Sequence, residues 1–127
     1  MAEASERSAA EWSQQVASMP TFVAVRDDGD VGVARCALDN ENPETAWLLS
    51  MWVASHARRG GIGSALVDAV RECARASGAL RVVLDVADEN GAAIALYASK
   101  GFVRSGATST LPPPRNRIRE HRRELRL

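Results

Sequence analysis

The chain has 127 residues, one domain's length, and its 46% hydrophobic and 25% charged residues are the balance of an ordinary globular protein. That composition excludes a disordered, collagen-like or low-complexity chain. No apolar run approaches the roughly 18 to 20 residues that cross a bilayer, and the polar start MAEASERSAAEW lacks the basic-then-apolar order of a signal peptide. A cytoplasmic protein with no membrane partner is therefore expected. The 16 basic and 16 acidic side chains cancel overall, but residues 115–127 hold six Arg against Glu120 and Glu124, a local +4 against −4 for the rest. In RIREHRRELRL these charges interleave with Ile118, Leu125 and Leu127, which favours a solvated edge strand over a nucleic-acid patch, so no nucleic-acid partner is expected.

In chain order, Trp12, Val16 and Met19 recur at helical spacing behind Ser8, predicting a short helix from about 8 to 18 that Pro20 closes. TFVAVR and VGVARCAL flank the turn DDGD and read as a hairpin. After the polar loop DNENPE, the nearly all-apolar TAWLLSMWV (45–53) reads as a central strand, in which regular alternation sends Trp47 and Trp52 to opposite faces. Ile62, Leu66, Val70 and Cys73 then mark an amphipathic helix between a glycine-rich start and Gly78. LRVVLDV (80–86) is a second buried strand, NGAAIALYASKG a shorter helix ended by Gly101, and FVRSGATSTL and RIREHRRELRL two closing strands joined by LPPPRN.

This order predicts one domain over 1–127 of α/β (α+β) class. Its sheet is mixed and mostly antiparallel, with one parallel βαβ unit from 45–53 to 80–86, flanked by helices. A right-handed crossover aims the helix N-terminus at the carboxyl edge of the sheet, which places the site near residues 51–64 and 85–97. Cys36 and Cys73 lack CxxC spacing and read as reduced core residues; His56 and His121 stand far apart without clustered ligands, so no metal is expected.

Arg58-Arg59-Gly60-Gly61-Ile62-Gly63-Ser64 puts three glycines and two cations where a helix begins, a place suited to phosphate by exposed amides and the helix dipole. A Walker loop needs a Lys that is missing. The dinucleotide fingerprint would start at Gly61 and Gly63 but meets Leu66 at its third glycine, although Asp85 stands near its acidic position. What remains is R-x-x-G-x-G, at Arg58, Gly61 and Gly63, followed by NxxAxxLYxxxGF from Asn90 to Phe102.

In the two blocks SMWVASHARRGGIGSALV and LDVADENGAAIALYASKGF the sequence resembles the GNAT superfamily of N-acetyltransferases, over roughly residues 21–127. The resemblance implies the GNAT-like acyl-CoA N-acyltransferase fold, with the pyrophosphate of acetyl-CoA on the backbone of Arg58, Arg59, Gly60, Gly61, Ile62, Gly63 and Ser64. It implies that the pantetheine arm pairs with Met51, Trp52 and Val53, where a backbone N–H supports the oxyanion of the tetrahedral intermediate. By the same resemblance Asn90 contacts the cofactor and Tyr97 protonates the leaving thiolate. Read without it, Tyr97 packs a helix against the sheet and Asn90 caps that helix.

Asp85 follows Val83 and Arg81 on one face of its strand and needs a cation partner or a polar cleft. In the ribosomal-protein alanine acetyltransferases of this superfamily a Glu twelve residues before the Tyr acts as base. Asp85 stands twelve before Tyr97, which makes it a candidate base, through water, or a structural ion pair. His56 matches a position that faces solvent in the family. The expected activity is transfer of the acetyl group of acetyl-CoA to a primary amine by direct attack in a ternary complex. The alternative is an acyl-CoA-binding sensor or interaction module without turnover. Family members carry a first strand and one or two helices before the hairpin, and only twenty residues precede Thr21. The first strand and helix are not evident, so the sheet edge is expected to lie uncovered, and either the natural start is missing or a second subunit, in a homodimer, supplies the cover.

Overall fold

The computed structural model describes residues 3–5, 20–26, 29–58, 60–110, 113–114 and 116–127. They form seven strands, β1 (Glu3–Ser5), β2 (Thr21–Arg26), β3 (Gly29–Leu38), β4 (Thr45–Val53), β5 (Arg81–Ala87), β6 (Val103–Thr110) and β7 (Arg119–Arg126). Two helices, α1 (Ile62–Ala76) and α2 (Gly91–Ser99), and a 3-10 turn at Ser55–Ala57 complete them. The strands make one sheet in the order β1-β2-β3-β4-β5-β7-β6. Only β4 and β5 are parallel, joined by α1, as the expected βαβ unit requires. The helix expected at 8–18 lies outside the described residues.

Alternation along the strands builds the core. Ala34 and Cys36 of β3, Ala46 and Leu48 of β4, and Val82, Leu84 and Val86 of β5 join Ile62, Leu66, Val67, Val70 and Ala74 of α1 in one buried cluster. Leu66 is wholly buried, and truncation of such a leucine to alanine costs about 2–5 kcal/mol. Both cysteines are free; burial, and after it the neighbouring Cys73 thiol, pushes the Cys36 thiol up to about 12. Gly78, at φ 88 just past α1, supplies the left-handed turn that ends the helix. Among the described residues no helix is long and apolar enough to cross a membrane.

Two expectations are corrected by strand order. A strand does precede the hairpin: Glu3–Ser5 pairs antiparallel with Val23–Val25, so the edge expected to lie bare at β2 is covered. The basic final strand is interior, hydrogen-bonded to β5 along Arg81–Ala87 and to β6 on its other side. One of its charges is met directly across the ladder and one of its apolar residues reaches the core. Arg122 stands directly across from Asp85, while Leu125 stands across from the core residue Val82.

Candidate active site

The parallel pairing of β4 with β5 runs from Thr45↔Arg81 to Trp47↔Val83 and stops. Beyond it β4 pairs with β3 alone, out to Gly32↔Val53. The cause is local. The β3–β4 register shifts between Val33 and Arg35, where β4 carries one extra residue, and Ser50 sits at φ 56. Such a β-bulge increases twist and bends the strand, so β4 leaves β5 and a cleft opens between their carboxyl halves. The extra residue also flips the alternation. Trp47 stands opposite Ala37 and Trp52 opposite Val33, four residues apart on the same β3 face. The expectation that the two tryptophans face opposite ways is thereby corrected.

The cleft opens onto the start of α1. The chain leaves β4 through Ala54, whose N–H donates to the Val31 carbonyl at 2.8 Å, and passes the 3-10 turn to Gly61, at φ 81. A side chain at that φ is strained, and glycine removes the strain. No side chain caps α1 and no acidic residue lies in its first turn. The Ala65 N–H donates to the Gly61 carbonyl at 3.0 Å, so the amides of Ile62, Gly63 and Ser64 precede the helical ladder and carry its partial positive charge. Three such donors on a backbone without bulk are suited to an anion. Gly63 serves another purpose: a Cβ there would lie 2.9 Å from Leu96 Cδ2, 3.6 Å from Met51 Cε and 3.8 Å from Val53 Cγ2. It lets α2 and the end of β4 close on α1.

Of the two cations expected at this loop, Arg59 lies outside the described residues. Arg58 turns its Nε toward the Val53 carbonyl, at 3.4 Å. Ser64 accepts a hydrogen bond from Lys100 Nζ at 3.0 Å, and Lys100 also pairs with Asp68 at 2.7 Å. Lys100 escapes a motif search because its partners are far away in the chain. Met51 and Val53 are half-buried beside Gly63, and Trp52 is 49% exposed.

On the other wall, Asn90 caps α2 by accepting the Ala93 N–H at Oδ1, 3.2 Å away, which leaves its amide nitrogen for other partners. Tyr97 is 4% exposed, with its ring centroid 5.7 Å from that of Phe102 at 59°. Burial pushes its phenol up to about 12, so it stays neutral and able to donate at ordinary pH. Asp85 lies on the sheet face opposite Val82, Leu84 and Val86. Arg122 grips it with Nε at 3.0 Å from Oδ1 and Nη2 at 3.3 Å from Oδ2. The Arg122 guanidinium is stacked 4.6 Å over the Trp47 ring, and the Trp47 indole donates to Asp39 Oδ2 at 3.0 Å. The hydrogen bond to Asp85 raises the Arg122 pKa, and the one from Trp47 lowers that of Asp39.

Asp85 therefore has the cation partner that the sequence left open, and two of its roughly four lone-pair sites remain. It is the first residue of its face beyond Val83, where pairing with β4 ends, so the Trp47–Arg122–Asp85 cluster stands at the apex of the cleft. His56 is exposed in the 3-10 turn, and His121 Nδ1 bonds Asp88. Among the described residues no three His, Cys, Asp or Glu side chains are grouped to hold a metal ion.

Comparison with solved structures finds the same architecture. A nourseothricin acetyltransferase matches with TM-score 0.78 and 28% identity, over 86% of this chain and 65% of its own. This chain thus spans less than two thirds of that relative's length. A ribosomal-protein-alanine N-acetyltransferase from Brucella melitensis matches with TM-score 0.77 and 27% identity, over 95% of this chain and 76% of its own. An acetyltransferase of Bacillus subtilis, solved in complex with CoA, matches with TM-score 0.74 at 18% identity, over 93% and 83%, and supports the fold alone. No curated protein matches the sequence. The model of the acetyltransferase (GNAT) family matches residues 2–102. With that match over most of its length, on a sheet that splits after Trp47 and a helix that starts bare at the split, the chain belongs to the acetyltransferase (GNAT) family.

Proposed function

We propose that this protein is an N-acetyltransferase that carries the acetyl group of acetyl-CoA to a primary amine by direct attack in a ternary complex. The observation that supports it most is the coincidence of the β4–β5 cleft with the uncapped N-terminus of α1. The amides of Ile62, Gly63 and Ser64, with Gly60, Gly61, Arg58 and Arg59, bind the donor's pyrophosphate. Met51, Trp52 and Val53 pair with its pantetheine arm, and a backbone N–H among them stabilises the oxyanion that forms on attack, a contribution of about 3–4 kcal/mol. Asn90, already a helix cap, turns its free amide to the donor. Asp85, oriented by Arg122, takes the proton of the attacking amine directly or through water. Tyr97 delivers its proton to the departing sulfur; its neutrality keeps that proton available.

Release of CoA from acetyl-CoA, measured across a panel of amines, tests the proposal. The panel includes nourseothricin and a peptide that begins with alanine, because two relatives above 25% identity are named for those acceptors. Acceptor-dependent release with an acetylated product supports transfer. Tight binding of acetyl-CoA without release for any amine would favour a sensor module instead.

A further inference from the structure

Resting on that reading of the donor, we propose that Arg26 is a ligand of the phosphate groups of acetyl-CoA, supplied to the 58–64 loop by the β2–β3 hairpin. Arg26 ends β2 and pairs with Gly29 across the turn. Because β3 runs antiparallel to β4, with Gly32 beside Val53, the hairpin turn and the exit of β4 share one end of the sheet. There the Arg26 guanidinium is packed on Gly60: a Cβ at Gly60 would lie 2.6 Å from Nη2 and 3.6 Å from Cζ. The missing side chain thus makes room for a guanidinium from another part of the chain.

The surrounding charges give that guanidinium its role. Arg58 directs its Nε to the Val53 carbonyl, and Lys100 is paired with Asp68. Arg26 is exposed and has no ion-pair partner among the described residues, and the first turn of α1 holds no acid. A planar guanidinium beside a row of free amides presents paired donors that match phosphate oxygens. Acetyl-CoA offers two sources of that chemistry, its pyrophosphate and its ribose 3′-phosphate.

Calorimetry with acetyl-CoA at low salt tests the assignment in the full chain. Arg26→Gln is expected to weaken binding by about three- to tenfold, and Arg26→Lys by less. The difference between parent and Arg26→Gln should shrink as salt rises and screens the exposed charge. Gly60→Ala, which displaces the guanidinium without removing it, should weaken binding in the parent and add nothing in Arg26→Gln. Acetyl-dephospho-CoA separates the sources: a loss in Arg26→Gln that persists assigns the pyrophosphate, and one that vanishes assigns the 3′-phosphate. Equal affinity of parent and Arg26→Gln, with thermal unfolding of the free proteins unchanged, overturns the assignment. A parent that binds no acetyl-CoA overturns the proposed function first, and this assignment with it.

Discussion

Gly63→Val separates two reasons for the glycine at the head of α1. If Gly63 is bare so that a phosphate can approach, valine should block acetyl-CoA and leave stability alone. The contacts point to the other reason. A Cβ would stand 2.9 Å from Leu96 Cδ2, well inside the optimum of about 3.5–4.0 Å between carbon atoms. Valine's two further methyl groups must then fit beside Met51 Cε and Val53 Cγ2, which already lie 3.6 and 3.8 Å from the Cβ position. Overpacking of this kind costs about 1–3 kcal/mol, and the helix-propensity gain of valine over glycine returns only a few tenths. A net loss of about 1–3 kcal/mol is expected in urea denaturation, read as a lower midpoint at constant slope. Leu96→Ala in the same chain should recover at least about 1 kcal/mol, because the two positions are in contact and their effects do not add. Gly60→Ala, whose Cβ meets the flexible end of Arg26 at 2.6 Å and the Ala57 carbonyl oxygen at 3.3 Å, should cost no more than about 1 kcal/mol. A Gly63→Val protein as stable as its parent, yet unable to bind acetyl-CoA, would refute the packing argument.

Tyr97→Phe keeps the ring against Phe102 and should retain acetyl-CoA affinity while turnover falls roughly 10- to 1,000-fold in steady-state assays; turnover at the parent rate would reduce Tyr97 to packing. Tyr97 and Cys36 both have folded pKa values raised to about 12, so the stability they contribute is complete below their ordinary values of 10.0 and 9.0 and is lost as pH rises toward 12. Denaturation midpoints should therefore drop between about pH 9 and 12, and Tyr97→Phe should flatten the upper part of that fall; an unchanged slope would contradict it. Asp85→Asn should leave the protein folded and binding acetyl-CoA but lower its turnover, and a parent-like rate would end the base assignment. A double-mutant cycle of Asp85→Asn and Arg122→Gln should show coupling of about 0.5–1.5 kcal/mol for this partly exposed pair, and coupling near zero would deny that Arg122 holds Asp85.

What could be read from residues alone is what neighbours in the chain encode. The stripe of Ile62, Leu66, Val70 and Cys73 specifies a helix whatever surrounds it, and the largely apolar TAWLLSMWV and LRVVLDV fit interior strands better than helices. The loop at Arg58–Ser64 was legible because a motif concentrates its glycines within seven residues. Asn90 likewise carries its capping role in its own local geometry. Sheet order was not legible in the same way. RIREHRRELRL has an edge strand's pattern of charge, and only the partners it finds in β5 and β6 make it interior.

The cleft itself depends on the tertiary structure. Ser50 carries no signal for a positive φ, since glycine or asparagine would be the residue to expect there. β4 takes up the bulge while it stays paired with β3, and the bend that follows leaves β5 beside it only as far as Val83. The same holds for Lys100 on Ser64, Arg122 on Trp47 and Arg26 on Gly60. Each pairs residues remote in the chain that meet only when the sheet and helices close. Periodicity and short motifs report the free energy of local conformations. Which distant side chains share a wall of the site is decided by packing and long-range pairing, which no short window of sequence contains.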